Sequence, residues 1–259
     1  MKTKSSPVNV VFLGTAGSGK TTMVHRLGRW LKESRGYQVI HVNLDPACLD
    51  TPYRPDFDIR SIFTTEDVMR REKLGPNAAI VRCSDLMAER ADEMARFIGD
   101  LEGDFRLIDT PGQTEIFVFR ESGPKIMKAL TNYGYTLSVM LFDKALASTP
   151  IDIATAQLMT LVVQLRIAVP MITAISKADL LPDSSIDSLL SNQALLTRAI
   201  EEEVREGGVY KDLSLELPSL IKTFKPPARI IKTSALTETG FTELLDIINE
   251  TYCACGDLT

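Results

Sequence analysis

Cysteine is scarce in this chain: Cys48, Cys83, Cys253 and Cys255 are the only four, and their spacing forms no disulfide framework. That usage suits a reducing compartment. Histidine is scarcer still. His25 and His41 have no carboxylate or cysteine at metal-ligand spacing, so structural roles are expected for both. Cys253-Ala254-Cys255 offers two ligands with no partner pair, too few for a closed metal site. Long apolar runs are missing as well. The most apolar stretch, Ile153 to Ile175, is broken by Gln157, Gln164, Arg166 and Pro170, which excludes a bilayer span. The opening MKTKSSP is too short and polar for a signal peptide, and a cytoplasmic protein is expected. Basic charge is not in excess: 29 Lys and Arg against 34 Asp and Glu give a formal net charge of −5. That balance argues against a general nucleic-acid or membrane surface but permits a small basic pocket. No repeat or low-complexity segment is visible.

What remains is an ordinary core-forming composition, 44% hydrophobic and 24% charged over 259 residues. It fits one large α/β domain, or such a domain with an insertion. Strands are expected at Val8–Leu13, Gln38–Asn43, Phe105–Asp109, Leu137–Phe142, Met171–Ile175 and Arg229–Thr233. Helical patterns lie between them at Thr21–Glu33, Thr65–Arg71, Ser84–Leu101, Gln113–Leu130, Ile153–Arg166 and Phe241–Tyr252. Val-, Ile- and Leu-rich strands alternating with helices imply a mainly parallel sheet covered on both faces. Ligands of such sheets sit beyond the carboxyl ends of the strands. Residues of about 183–226 interrupt the alternation with a charged, helix-forming stretch that closes on Lys225-Pro226-Pro227. A helical insertion before the last strand is expected there, within a single domain of residues 1–259.

The first strand runs into Gly14-Thr15-Ala16-Gly17-Ser18-Gly19-Lys20-Thr21, followed by Thr22 at the head of a helix. The G-x-x-x-x-G-K-T spacing is that of a phosphate-binding loop. Its glycines let successive N–H groups turn inward, and the helix N-terminus adds a favourable partial charge. Lys20 would reach the β- and γ-phosphates, and the Thr21 hydroxyl would ligate Mg2+. A flexible strand-to-helix turn would leave the lysine, the threonine and the full spacing as coincidence. The chain is expected to bind a nucleoside triphosphate as a P-loop NTPase.

Asp109-Thr110-Pro111-Gly112-Gln113 closes another strand. A carboxylate there can hold Mg2+ through water, the Gly112 N–H can bond the γ-phosphate, and the Gln113 amide can orient the attacking water. Alone, D-x-P-G is a common turn signal; after a phosphate loop, the functional reading prevails. Ser176-Lys177-Ala178-Asp179 follows a later strand. An aspartate in this place accepts from guanine N1–H and N2–H2, whereas adenine would leave it unpaired in a closed pocket. The Lys177 stem can pack along the base plane. Ser234-Ala235-Leu236 follows the last strand, and a backbone N–H there could reach the guanine carbonyl. Together these pieces resemble the guanine-nucleotide signature of GTPases, with one departure. Serine stands at 176 where the pattern has asparagine, and it is too short to make all of the asparagine's contacts. Affinity is expected to suffer while selectivity survives through Asp179.

Asn43-Leu44-Asp45-Pro46-Ala47 ends the second expected strand, and Leu74-Gly75-Pro76-Asn77 follows a helical segment. Taken alone, the first is an Asp-Pro turn and the second a helix C-cap and turn, with Gly75 ending the helix. Asp45 resembles instead the strand-end aspartate of the dimeric GTPase and ATPase class that includes signal-recognition-particle and MinD-like proteins. The ordered set GTAGSGKT, NLDPA, YRPDFDIR, GPN, DTPGQTE, SKAD and SAL resembles the GPN-loop GTPases, and the ending YCACGDLT looks like that of their archaeal members.

The resemblance implies a Mg2+-dependent homodimer that binds and hydrolyses GTP. In it Gly75, Pro76 and Asn77 of one subunit would reach the phosphates held by the other. Asp45, Gln113 and Glu115 would position water. It also implies a possible macromolecular client, since eukaryotic members assist assembly or nuclear import of RNA polymerase II; nothing in the sequence marks a polymerase-binding surface. The alternative is a P-loop kinase passing the γ-phosphoryl group to a small molecule or RNA end, with residues 183–226 as its lid. Such a kinase would have little use for SKAD. A scaffold that binds GTP without turnover is opposed by Asp45, Asn77 and Gln113. Arg82 and Arg120 could stabilise developing charge, but surface ion pairs are their default.

Overall fold

The computed structural model describes residues 6–181, 188–190, 192–205 and 230–256. Seven strands form one sheet: β1 (Val8–Gly14), β2 (Val39–Asn43), β3 (Phe57–Asp58), β4 (Phe105–Asp109), β5 (Tyr135–Phe142), β6 (Met171–Ile175) and β7 (Ile230–Lys232). Their order is β3-β2-β4-β1-β5-β6-β7 and every pairing is parallel. The central strand β1 is buried along its whole length. Its side chains alternate between two cores, Val11 and Leu13 on one face, Val10 and Phe12 on the other. This is the doubly covered α/β sheet that the sequence pattern implies.

One face carries α1 (Lys20–Arg35) and α9 (Phe241–Gly256). Met23, Leu27 and Leu31 of α1 pack with Phe241, Leu244 and Ile248 of α9, each burial worth roughly 1.5–3 kcal/mol before entropy costs. The other face carries α2 (Thr65–Glu72), α3 (Pro76–Glu89), α4 (Ala91–Gly99), α5 (Thr114–Phe119), α6 (Ser122–Leu130), α7 (Pro150–Ile167) and α8 (Gln193–Arg205). Within the expected insertion α8 is described, while residues 182–187, 191 and 206–229 fall outside the described residues. So do Arg229, the side chain of Cys255 and residues 257–259.

Several boundaries differ from expectation for visible reasons. The stretch expected as one helix over Ser84–Leu101 is two, divided at Arg90 (φ −109°, ψ 14°). The stretch expected over Gln113–Leu130 is also two, divided at the extended Arg120. Pro124 has no N–H to donate back to residue 120, so the second piece must start afresh. Helix α7 begins at Pro150, three residues before its apolar pattern, because Thr149 and Asp152 close a capping box. Gly75 does not end a helix. Lys73, left-handed at φ 53°, ends α2, and Gly75 is the N-cap of α3 with Pro76 in its first turn. Gly75-Pro76-Asn77 is therefore a helix start. Among the described residues no helix is long and apolar enough to cross a membrane.

Candidate nucleotide site

The segments after β1, β2, β4, β6 and β7 converge at the carboxyl edge of the sheet, where β1 lies between β4 and β5. After β1 the chain curls. Gly14 leaves no room for a side chain: a Cβ there would lie 2.3 Å from the Leu141 carbonyl oxygen and 2.6 Å from Ser18 Oγ. Gly19 opens α1 in the left-handed region at φ 88°, and no side chain caps the helix, so its first N–H groups are left for an anion. Lys20 is 6% exposed. Its ammonium folds back onto the loop, donating to the carbonyls of Gly14 (2.6 Å) and Thr15 (3.2 Å). Burial lowers its pKa, opposed by the charges of Asp109, Asp45 and Glu115. A desolvated cation in a ring of backbone dipoles is a phosphate-binding arrangement.

Asp109, at the end of β4, is 1% exposed. Its Oδ2 accepts from the Tyr53 hydroxyl at 3.2 Å, and its Oδ1 has no hydrogen-bond partner among the described residues. Burial pushes its carboxyl up to about 6 against the downward pull of the Thr21 hydroxyl, Lys20 and Tyr53. An unsatisfied buried carboxylate oxygen beside a threonine hydroxyl is the oxygen chemistry a Mg2+ ion takes. Among the described residues no cluster of three His, Cys, Asp or Glu could hold a metal. Mg2+ needs only one or two carboxylates when phosphates and water complete its shell, so Thr21 and Asp109 fit it.

Asp45 lies beside them, and its carboxylate accepts from the N–H of Ala47 (2.9 Å) and of Gly112 (3.2 Å). The Gly112 N–H, expected to face a γ-phosphate, is thus bound to Asp45 in this structure. Burial raises the Asp45 pKa, opposed by those two N–H groups, then Lys20 and Arg60. Gln113 is the N-cap of α5, and Glu115 is exposed in its first turn. Between these loops and α3 lies a mostly apolar cavity of about 150 Å3, lined by Ala16, Pro46, Cys83, Met87, Gly112 and Phe117 among others. Asn77 makes no hydrogen bond to the phosphate loop of its own chain among the described residues. It is exposed in the first turn of α3 and makes no side-chain hydrogen bond among the described residues.

The base side is more open. Asp179 is exposed on a single 3-10 turn, and its Oδ1 accepts from the Ser234 hydroxyl at 2.5 Å. Within Ser234-Ala235-Leu236 the Ser234 N–H donates to the Thr239 carbonyl and that of Leu236 to Ser234 Oγ, and the Ala235 N–H has no acceptor among the described residues. Lys177 takes a left-handed φ of 57° and pairs with Asp143 at 2.6 Å. The Ser176 hydroxyl bonds the Phe142 carbonyl of β5 at 3.0 Å; among the described residues it makes no hydrogen bond to the phosphate loop.

Several supporting residues had no assigned role in the sequence reading. Tyr53 and Arg60 belong to YRPDFDIR and Thr114 to DTPGQTE, motifs whose pattern was visible but whose contacts were not. The Thr114 hydroxyl donates to the Gly14 carbonyl and accepts from the Gly14 N–H. Arg60 pairs with Asp58 at 2.6 Å and donates to the carbonyls of Cys48 and Leu49. Asn43 joins Asp58 to the Asp45 backbone. Arg26, with no motif to mark it, donates from α1 to the Ala235 carbonyl at 2.9 Å. Arg82 is paired with Glu72 and Glu89, and Arg120 with Asp85.

A family profile described as "Conserved hypothetical ATP binding protein" matches residues 12–254. A GPN-loop GTPase of Pyrococcus abyssi is 37% identical over 255 residues, covering 96% of this chain and 99% of that protein. The chain belongs to the GPN-loop GTPase family. Another GPN-loop relative, GPN-loop GTPase 1 of Dictyostelium discoideum, is 29% identical over 247 residues; the match covers 93% of this chain and 61% of that longer protein. The crystal structure of a GTPase in apo form from Pyrococcus abyssi superposes with a TM-score of 0.85 at 35% identity, covering 96% of this chain and 98% of that one.

Proposed function

We propose that this chain binds GTP with Mg2+ and hydrolyses it to GDP and phosphate, working in the cytoplasm as one subunit of a homodimeric switch. The observation that carries the reading is the desolvated pair at the mouth of the loop: buried Lys20 resting on its own loop carbonyls, beside the unpartnered oxygen of Asp109. On binding, phosphate oxygens take the place of those carbonyls around the Lys20 ammonium, where low dielectric strengthens each contact. Thr21 and Asp109 would hold the cation, which supplies charge neutralisation between the β- and γ-phosphates. Asp179 and the Ala235 N–H select guanine.

In hydrolysis a water oxygen bonds to the γ-phosphorus as the bond to the β-γ bridging oxygen breaks. Gln113, Glu115 and Asp45 would orient that water. To do so Asp45 exchanges its bond with Gly112, freeing that N–H for the γ-phosphate. The exposed Asn77, with no side-chain hydrogen bond among the described residues, suits a contact made across a dimer: it would touch the phosphates held by the partner through the rigid helix start Gly75-Pro76.

Complementation tests the reading. Asn77→Ala should lower kcat with little change in GTP affinity, because an amide acting on the transferring group stabilises the transition state more than the ground state. Lys20→Ala should lose tight GTP binding. Mixed subunits then contain one intact composite site, and phosphate release should rise above that of either variant alone. Verified heterodimers without recovery would mean that the loop acts within its own subunit or that both sites must fire together, and a protein that stays monomeric with a GTP analogue bound would remove the contact across the dimer. Failure of the unmodified protein to release phosphate from GTP would remove hydrolysis itself.

A further inference from the structure

We infer that Tyr53 is a positioning residue for the cation of this site, an inference that rests on the reading above. Its phenol donates to Asp109 Oδ2 at 3.2 Å, which fixes the carboxylate about its last torsion. The Oδ1 left without a partner among the described residues is then the oxygen presented for coordination. A carboxylate held by one oxygen offers the other in a set direction, and losing such an outer partner costs a metal site about 10- to 100-fold in affinity.

The ring itself is held firmly. Tyr53 is 7% exposed and stacks on His41 of β2, with ring centroids 5.1 Å apart and an interplanar angle of 27°. Its backbone carbonyl accepts from Thr51 Oγ1 at 2.8 Å. Beyond it, Asp56 bonds the His41 backbone N–H and returns its own N–H to the His41 carbonyl. The short strand β3 then pairs Phe57 with Val42 and Asp58 with Asn43. The segment that leaves the sheet at Asp45 is thereby clamped back along β2, and Tyr53 is the residue it lays against β4. Cation affinity and the position of this segment are coupled through one hydroxyl.

The test measures binding of a fluorescent GDP analogue across a Mg2+ titration, with EDTA as the cation-free reference. Tyr53→Phe removes the hydroxyl and keeps the ring on His41. The Mg2+ concentration for half-maximal tightening should rise about tenfold, with affinity in EDTA and thermal unfolding nearly unchanged. Tyr53→Leu should show the same Mg2+ shift with a lower Tm. A Tyr53→Phe protein titrating like the unmodified one, with only Tyr53→Leu impaired, would reduce Tyr53 to a packing residue and leave the GTP reading intact. If the unmodified protein shows no Mg2+ effect on GDP binding, the cation assignment fails and Tyr53 with it.

Discussion

The two ends of the proposed site are built to different standards. At the phosphate end, Lys20, Ser18 and Asp109 are 6%, 0% and 1% exposed, and the loops are cross-linked through Thr114, Tyr53 and Asp45. At the base end Asp179 is exposed, and Leu236 is 75% exposed. The difference follows from the sheet. The phosphate loop follows β1 and Asp109 ends β4 in its middle, while Ser176–Asp179 and Ser234–Leu236 follow β6 and β7 near its edge. Groups in the middle are part of the core, so each must be satisfied internally or by ligand. Groups at the edge can change at low cost. Ser176 is the exception at this end: it is 4% exposed, and where the resembling pattern has asparagine, its hydroxyl is satisfied by Phe142 within the sheet.

Perturbations can sharpen this contrast. The largest effect is expected from Lys20→Ala, which strips the charge partner from buried phosphates; GTP affinity should fall by about 3 kcal/mol or more, over a hundredfold, in an equilibrium titration. Next comes His41, packed under the phosphate-end clamp. Burial holds its pKa down at about 4, with Lys32 adding to the shift and Asp56 opposing it. The unfolded chain binds that proton near pH 6.5 and native His41 does not, so stability is flat above pH 6.5 and falls from there toward pH 4. The His41 share is at most about 3 kcal/mol. Unfolding curves of the unmodified protein and His41→Gln should diverge in slope only over that window.

Thr114→Val keeps the shape but leaves the buried Gly14 N–H without its side-chain acceptor, while the Gly14 carbonyl keeps the Lys20 ammonium. A cost of about 1–3 kcal/mol is expected in chemical denaturation. The smallest effect belongs to the base end. Leu236→Ala, at a 75% exposed position, should change stability by under about 0.5 kcal/mol; a loss as large as that of Thr114→Val would show that the edge is as tightly built as the centre.

The same division explains what the sequence made legible. The phosphate loop, DTPGQ and SKAD are contiguous motifs at strand ends, and a parallel sheet brings strand ends together whatever the details. The clamp is not contiguous. Tyr53 meets Asp109 from 56 residues away and Arg26 meets Ala235 from 209 residues away, and no local pattern encodes such pairings. Strand β3 has two residues, too few for any periodicity to register. Gly75-Pro76 was readable, because Pro in the first helical turn after a glycine N-cap is a start signal. The helix before it ends on left-handed Lys73, a conformation sequence gives no reason to expect of lysine. The glycine two residues later was the natural but mistaken stop. Pro124 likewise marks the break between α5 and α6, within the polar stretch Arg120-Glu121-Ser122-Gly123.

Guanine selection by an exposed carboxylate is the central claim, and the matching family profile carries a description of ATP binding. A competition titration of GTP against ATP on the unmodified protein with Mg2+, no acceptor added, addresses it directly. On the proposed reading Asp179 would pair with two guanine donors and meet none on adenine's corresponding edge, so GTP should be preferred by about a hundredfold or more, with phosphate released from GTP. Equal affinity for the two nucleotides would contradict the account, whatever the phosphate end does.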